Sequence, residues 1–541
     1  MDRACVHWWT AVHRPARQVT KGIHVQVTTI GHAGLLVRTS GKTIVCDPWF
    51  IPAFFGSWFV FPRNDQLPEE LMREITNPDY LYISHIHGDH LDIPFLRDRM
   101  NKTATVLLPD FPSQELEGEL RKIGFSNFIH LKNAQETKID GFTVAIHVET
   151  SITDGPGGDS AIVISDPTGR IVNQNDCRTH DVGALAGHGP VDVHYLQFSG
   201  AIWYPMVYEI PEQEMRRLVS NKVESQFARC FRYVEALSAS HVAPSAGPPC
   251  FLDNDLYKFN VIDGTELSIF PDQTEFLKRL PAVSNSTGVM NIPGTTVNID
   301  SGRVTVEQPC SDEELHSIFR DKDAYLRRYQ TDWREWLADE KARWGAPDVN
   351  LISSLQLWWE PLMAMAPTLC SLIGSNCLIR SGRHEVLIDF NAHQVRKYAG
   401  EPHAFRFEIP EALFETVVKA RAVDWSNSLF LSCRFTAWRD GDFNEYLYNF
   451  FKSLSPDRMR RTETEARGKV NAVEEVEEID SCGYTFERYC PHRKADLSIF
   501  GEINGQVLTC TLHGWKFDLE TGKCLTAADK ALKVRRSTDQ R

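Results

Sequence analysis

Two cysteine–histidine pairs near the C-terminal end limit what this chain can fold into more than any other feature. Cys490-Pro491-His492 is followed, after 17 intervening residues, by Cys510-Thr511-Leu512-His513. Each pair offers one thiolate and one imidazole from a short loop. That alternation suits a [2Fe–2S] cluster with two thiolates on one iron and two imidazoles on the other. Structural zinc sites of the same ligand count group Cys with Cys and His with His along the chain, which is not the order here. The flanking Gly514-Trp515-Lys516-Phe517-Asp518 and Thr521-Gly522 fit adjacent turns of a small β domain closing over one cluster. Such a cluster passes electrons singly, so the chain needs an acceptor.

Only 28 residues follow His513, too few for a catalytic domain. In ordinary Rieske oxygenases a catalytic iron domain follows the cluster domain; here the acceptor is expected upstream or on another chain. Asp79-Tyr80-Leu81-Tyr82-Ile83-Ser84 reads as a buried strand running into His85-Ile86-His87-Gly88-Asp89-His90. This H-x-H-x-D-H loop resembles the metal loop of the metallo-β-lactamase superfamily. A turn after the strand directs His85 and His87 to one metal and Asp89 and His90 to its neighbour, and Gly88 permits the tight backbone. In the strand Phe142-Thr143-Val144-Ala145-Ile146-His147-Val148-Glu149, His147 and Glu149 share one face. Either is a candidate third ligand of the first metal. Hydrolytic relatives place His there; a carboxylate favours iron, whose oxygen chemistry uses mixed shells, and Glu149 is the preferred choice. The resemblance places a metal-bridging carboxylate at Asp176. It places the last hydrolase ligand, a His after a late strand, at Ala246, with His241 as the nearby candidate. His32 and Asp47 are expected beside the site, Asp47 to orient a ligand His.

At 541 residues the chain should hold two or three domains. Its fold class reads as α+β. A metallo-β-lactamase-like αββα sandwich is expected over 22–300, a middle helical and α/β region over 301–459, a charged linker or exposed helix over 460–478, and an all-β Rieske domain over 479–535. The run from Trp49 to Phe59 either walls a substrate pocket or packs as core, and Ser311 to Trp344 reads as a charged amphipathic helix. A net charge of −14 argues against a nucleic-acid or anionic-membrane surface. Thirteen Cys without a disulfide framework, no signal-peptide apolar core and no apolar run of about 18 residues lead to the expectation of a cytoplasmic protein.

The two metal motifs together resemble CMP-N-acetylneuraminate hydroxylase and its bacterial relatives, which join a Rieske domain to a metallo-β-lactamase-like domain. Gly31-His32-Ala33, Cys46-Asp47-Pro48-Trp49, the loop through Leu91, Val172 to Cys177, Tyr204-Pro205-Met206, Pro244-Ser245-Ala246-Gly247 and Asp440 to Leu447 follow the family's order. In the sialic-acid enzyme the Rieske domain comes first, and here it comes last. The resemblance implies a Rieske-dependent non-haem iron monooxygenase that hydroxylates or N-oxygenates a small polar metabolite. Its cofactors would be the cluster, one or two irons and O2. NAD(P)H would supply electrons through a reductase, with or without a ferredoxin or cytochrome b5-like carrier. Neither cluster loop holds an extra Cys for a bridging disulfide, so a low-potential cluster is expected. The alternatives are a dizinc hydrolase with a regulatory Rieske domain, and an electron-transfer protein without oxygenation.

Overall fold

A computed structural model describes residues 24–150, 157–345, 350–471, 477–492, 494–527 and 530–537. Short runs rich in Val, Ile and Thr, broken by Gly and Asp turns, form the first strands. In chain order these are β1 (Val25–Gly31), β2 (Gly34–Thr39), β3 (Lys42–Cys46), β4 (Tyr80–Tyr82), β5 (Thr105–Pro109), β6 (Phe128–Leu131), β7 (Thr137–Ile139), β8 (Phe142–Glu149), β9 (Asp159–Asp166), β10 (Gly169–Asn175), β11 (Val193–Gln197), β12 (His241–Ser245), β13 (Thr287–Gly288), β14 (Thr296–Asp300) and β15 (Arg303–Glu307). One eight-stranded sheet runs β15-β14-β1-β2-β3-β4-β5-β6, and a seven-stranded sheet runs β13-β12-β11-β10-β9-β8-β7.

Strand periodicity explains the layers. Val37, Ile44 and Tyr82 point inward to meet Val144, Ile162 and Ile171 of the other sheet. Their neighbours Leu36, Val45 and Leu81 point outward beneath the helices Glu69–Thr76, Ile93–Asp98 and Glu115–Lys122. On the far side, Ala145, Val163 and Val172 pack under the 26-residue helix Glu212–Leu237. This is the expected αββα sandwich. Because β3 to β6 and β10 to β13 pair in parallel, the ends of β3, β4, β10 and β12 open at one rim, where parallel sheets place their sites.

Two expected boundaries move. The sandwich does not stop at 300, since β15 extends the first sheet through β14. Of the two readings of the charged stretch, the helix holds as far as 471: Pro456–Asn471 is helical and packs on its neighbours. Its charges have partners. Arg458 binds Glu115 and Asp424, and Glu463 accepts the backbone N–H groups of Thr368 and Leu369. The region Ser311–Trp344 is two helices, Asp312–Arg320 and Lys322–Ala342.

The middle unit is a five-stranded sheet with helices, cored by Trp359, Trp425 and Phe451. The C-terminal unit has two three-stranded sheets and one short helix, Leu497–Phe500. It rests on the long helix. Tyr233 packs edge-on to Phe500 with centroids 5.6 Å apart, and Arg232 binds Glu502 at 3.1 Å. Among the described residues no helix is long and apolar enough to cross a membrane.

Candidate active site

The loop after β4 brings its histidines into one buried cluster. His85 Nε2 lies 2.7 Å from His87 Nδ1, and the His85 and His90 rings are 4.1 Å apart. Asp176, just past β10, faces both: its Oδ1 is 3.4 Å from His90 Nε2 and 3.9 Å from His85 Nδ1. His85, His90 and Asp176 form one group whose ligand atoms all lie within 4.8 Å of one another, and His32, Asp89 and His90 form a second.

Two observations fit this pocket to metal ions. His90 Nε2 and Asp176 Oδ1 are buried and have no hydrogen-bond partner among the described residues, a cost that a shared cation removes. The donors are also paired by type, imidazole with carboxylate, a set that iron or zinc accepts. The electrostatics agree. Burial disfavours the charged form of Asp89, yet His90 and His32 hold it well below the usual carboxylate range. Burial opposes the His90 cation, and Asp176, Asp89 and Asp47 overcome it. His87 goes the other way, lowered by burial and by His85.

Asp47, at the end of β3, is fully buried. It accepts from Ser84 N and Ser84 Oγ, both at 2.7 Å, and from His90 Nδ1 at 2.9 Å. Asp47 thus meets the Nδ1 side of the His90 ring. His32 does more than stand nearby. Its backbone carbonyl accepts from Ala246 N at 3.0 Å, which ties it to the strand end where the resemblance places the last hydrolase ligand. Its Nε2 lies 3.1 Å from Asp89 Oδ2.

Glu149 and His147, the alternatives for one ligand position, and His241 each meet other partners. Glu149 is on the rim but bonds His180 Nδ1 at 2.5 Å. His147 Nε2 meets His188 Nε2 at 2.6 Å, while His188 Nδ1 bonds Glu136; burial and His188 push His147 down to about 4. His241 begins β12, at the strand end remote from the rim, against Ser240. The carboxylate that reaches His85 is Asp159, 3.2 Å from Nδ1. Sequence reading missed it, although Gly157-Gly158-Asp159 before a strand marks a backbone kept clear of bulk. Burial raises Asp159 to about 6, against the pull of His85.

The aromatic run divides between the core and a cavity wall. Trp49, Trp58 and Phe59 are core. Phe54 and Phe55 line a cavity of about 370 Å³ beside His87 and Gly88, closed on the other side by Val423 and Asn427 of the middle unit. Phe54, Phe55 and Gly56 all have positive φ, 52°, 59° and 64°, which is costly for the two phenylalanines. Arg434 holds this bend, donating to the Phe55 and Gly56 carbonyls at 3.2 and 3.1 Å.

In the C-terminal unit the cluster loops converge. The His492 and His513 rings are 5.0 Å apart, and His492 stacks on Trp515 at 4.0 Å. Cys490 and the backbone N–H groups of Leu512 and His513 hold the Cys510 thiol low against the effect of burial. Two thiols and two imidazoles on facing loops fit a Rieske cluster. Glu445, from the middle unit, approaches His492 Nε2 at 3.4 Å.

Known proteins match in the same three parts. A beta-lactamase superfamily domain matches residues 26–208, an Rv3818-like, SCP2-like domain 351–467, and a Rieske [2Fe-2S] domain 453–534. The chain is 41% identical over 526 residues to a Rieske 2Fe-2S iron-sulfur protein of Mycolicibacterium smegmatis, spanning 95% of this chain and 100% of that one. It is 28% identical over 254 residues to the cytidine monophosphate-N-acetylneuraminic acid hydroxylase of Danio rerio, covering 44% of this chain and 40% of the hydroxylase. Among solved structures, CmlA, a diiron beta-hydroxylase from Streptomyces venezuelae, aligns at 16% identity and a TM-score of 0.33, covering 52% of this chain and 55% of CmlA.

Proposed function

The chain belongs to the same family as the Mycolicibacterium smegmatis Rieske 2Fe-2S iron-sulfur protein, and on that premise we propose that it is a Rieske-dependent non-haem iron monooxygenase acting on a small polar metabolite. The observation that carries the reading is the docking of the cluster loops onto the unit that bears the histidine–carboxylate centre, with His513 reaching toward its rim. A hydrolase has no use for single electrons. The partial match to a sialic-acid hydroxylase supports the same class.

His85, His87, Asp89, His90 and Asp176, with His32, would hold one or two irons, which supply the binding and reduction of O2. Cys490, His492, Cys510 and His513 would hold the cluster, which supplies electrons received from an NAD(P)H-dependent reductase. The chain's own residues do the rest. Asp47 keeps the proton on His90 Nδ1 and so presents Nε2 to the centre. Asp92 accepts the N–H groups of Phe50, Ile51 and Phe95 and fixes the aromatic run beside the metal loop. Phe54 and Phe55 wall the cleft through which a substrate reaches His87.

The test is metal analysis of anaerobically purified protein, followed by O2 uptake with a reductase and candidate metabolites. Iron in excess of the cluster's own is the expected result. A centre filled only with zinc would replace this reading with the dizinc hydrolase.

A further inference from the structure

We propose that His180 and Glu149 form a fixed electron bridge between the cluster loops and the metal centre of the same chain, an inference that rests on the oxygenase reading above. Three side-chain approaches and one ladder pairing, in series, carry it. The His513 ring stands 6.0 Å from the His180 ring, centroid to centroid. His180 Nδ1 donates to Glu149 Oε2 at 2.5 Å. Glu149 is the ladder partner of Asp159 on the neighbouring strand, a pairing that sets the Cβ atoms of opposite residues about 4.5–5.5 Å apart. Asp159 Oδ1 lies 3.2 Å from His85 Nδ1. The series starts on an imidazole ligand of the cluster and ends on an imidazole of the centre.

The bridge is held from both ends. Tyr233 of the long helix donates its hydroxyl to the Thr179 carbonyl at 2.9 Å, next to His180, while its ring packs on Phe500 beneath the cluster loops. Glu149 and Asp159 are held by ladder pairing. Electron tunnelling weakens steeply with distance and is stronger through bonds than through space, so an ordered series of rings and hydrogen bonds favours this route. With a cluster and iron held at these sites, the bridge would carry one electron at a time, the reduced cluster returning to its oxidised level as an iron at the centre goes from ferric to ferrous. No bond along the bridge forms or breaks. The reductase supplies the electron and NAD(P)H is its source.

His180 and Glu149 are thus positioning residues. The experiment uses the holoprotein, reduced anaerobically with dithionite and mixed with O2, while cluster absorbance is followed. In the wild type, reoxidation should be faster with the upstream iron present than in His87→Ala, which lacks it. Equal rates there would refute the oxygenase reading itself. His180→Asn keeps a donor for Glu149 but removes the ring facing His513; Glu149→Gln keeps the ring and removes the charge. Both should slow metal-dependent reoxidation about tenfold or more while cluster and upstream iron stay at wild-type levels. The EPR g-values of the reduced cluster should move in His180→Asn alone. Wild-type rates in both variants, with both sites full and wild-type metal dependence intact, would overturn the bridge and leave the oxygenase reading standing. Loss of upstream iron in Glu149→Gln would make Glu149 a ligand and likewise overturn it.

Discussion

Replacing Asp47 with asparagine should disarm the metal centre without disturbing the fold around it. The argument turns on one fixed donor. Ser84 N is a backbone group and donates to Asp47 Oδ1 at 2.7 Å. The oxygen of the introduced amide must therefore stay there, which puts its NH2 group at the Oδ2 position, 2.9 Å from His90 Nδ1. An N–H facing Nδ1 forces that nitrogen to accept, and the imidazole proton moves to Nε2. The His90 nitrogen turned toward Asp176 then presents a hydrogen instead of a lone pair. Retaining the metal requires the opposing tautomer, at the cost of one charge-assisted hydrogen bond, about 1.5–3 kcal/mol. At about 1.4 kcal/mol per decade this weakens metal binding roughly 10- to 150-fold, in line with the usual effect of losing such a partner. The assay is retention of upstream iron against a graded chelator, with the Rieske EPR signal as internal control. Unchanged retention in a folded Asp47→Asn protein would refute the claim that Asp47 sets the tautomer.

Three further outcomes are expected. His492→Cys or His513→Cys should abolish the Rieske EPR signature, because imidazole ligation sets it, while upstream iron measured by elemental analysis is retained; a surviving Rieske signal would displace the cluster assignment. Arg434→Met removes a buried ion pair with Asp253 and two carbonyl contacts to the strained bend. Breaking such a pair costs about 3–5 kcal/mol, and since Lys341 still faces Asp253 the lower end is expected; an unchanged thermal midpoint would contradict it. His194 supplies a pH dependence. Burial pushes it down to about 3, against about 6.5 when unfolded, so the unfolded chain binds more protons between those values. Stability is then full above about 6.5 and falls as pH drops toward 3, by up to roughly 1.4 kcal/mol per pH unit. Denaturant unfolding from pH 7 to 5 should show a shallower loss in His194→Gln, and an identical slope would discount the residue.

Local motifs were legible in the sequence, and contacts made by register were not. The loop His85–His90 carries its own geometry, because a strand, a turn and a glycine fix where consecutive side chains point. Asp176 is marked by the strand it ends. Asp159 and His180 carry no such local mark: one reaches His85 only through the β8–β9 pairing, the other meets Glu149 only after the chain passes from β9 through β10. Strand periodicity correctly put His147 and Glu149 on one face. It cannot say which neighbour each meets there, and His188 and His180 took them. Charge counting left a linker and an exposed helix open over 460–478; Glu463, 4% exposed, is buried in that helix because it accepts the Thr368 and Leu369 N–H groups, which composition does not reveal.

The sharing of one apolar cluster between the long helix and the Rieske unit has a consequence for maturation. Phe227 and Tyr233 of that helix belong with Phe500, Leu508 and Trp515, and Cys490 and Cys510 lie among them almost wholly shielded from solvent. A scaffold delivering iron and sulfide needs both thiols accessible. Cluster insertion should therefore precede closure of the unit onto the helix, and a chain deprived of its cluster would leave a long apolar helix face uncovered. Iron starvation would then be felt first as aggregation or turnover of the whole polypeptide, and only second as a loss of redox capacity.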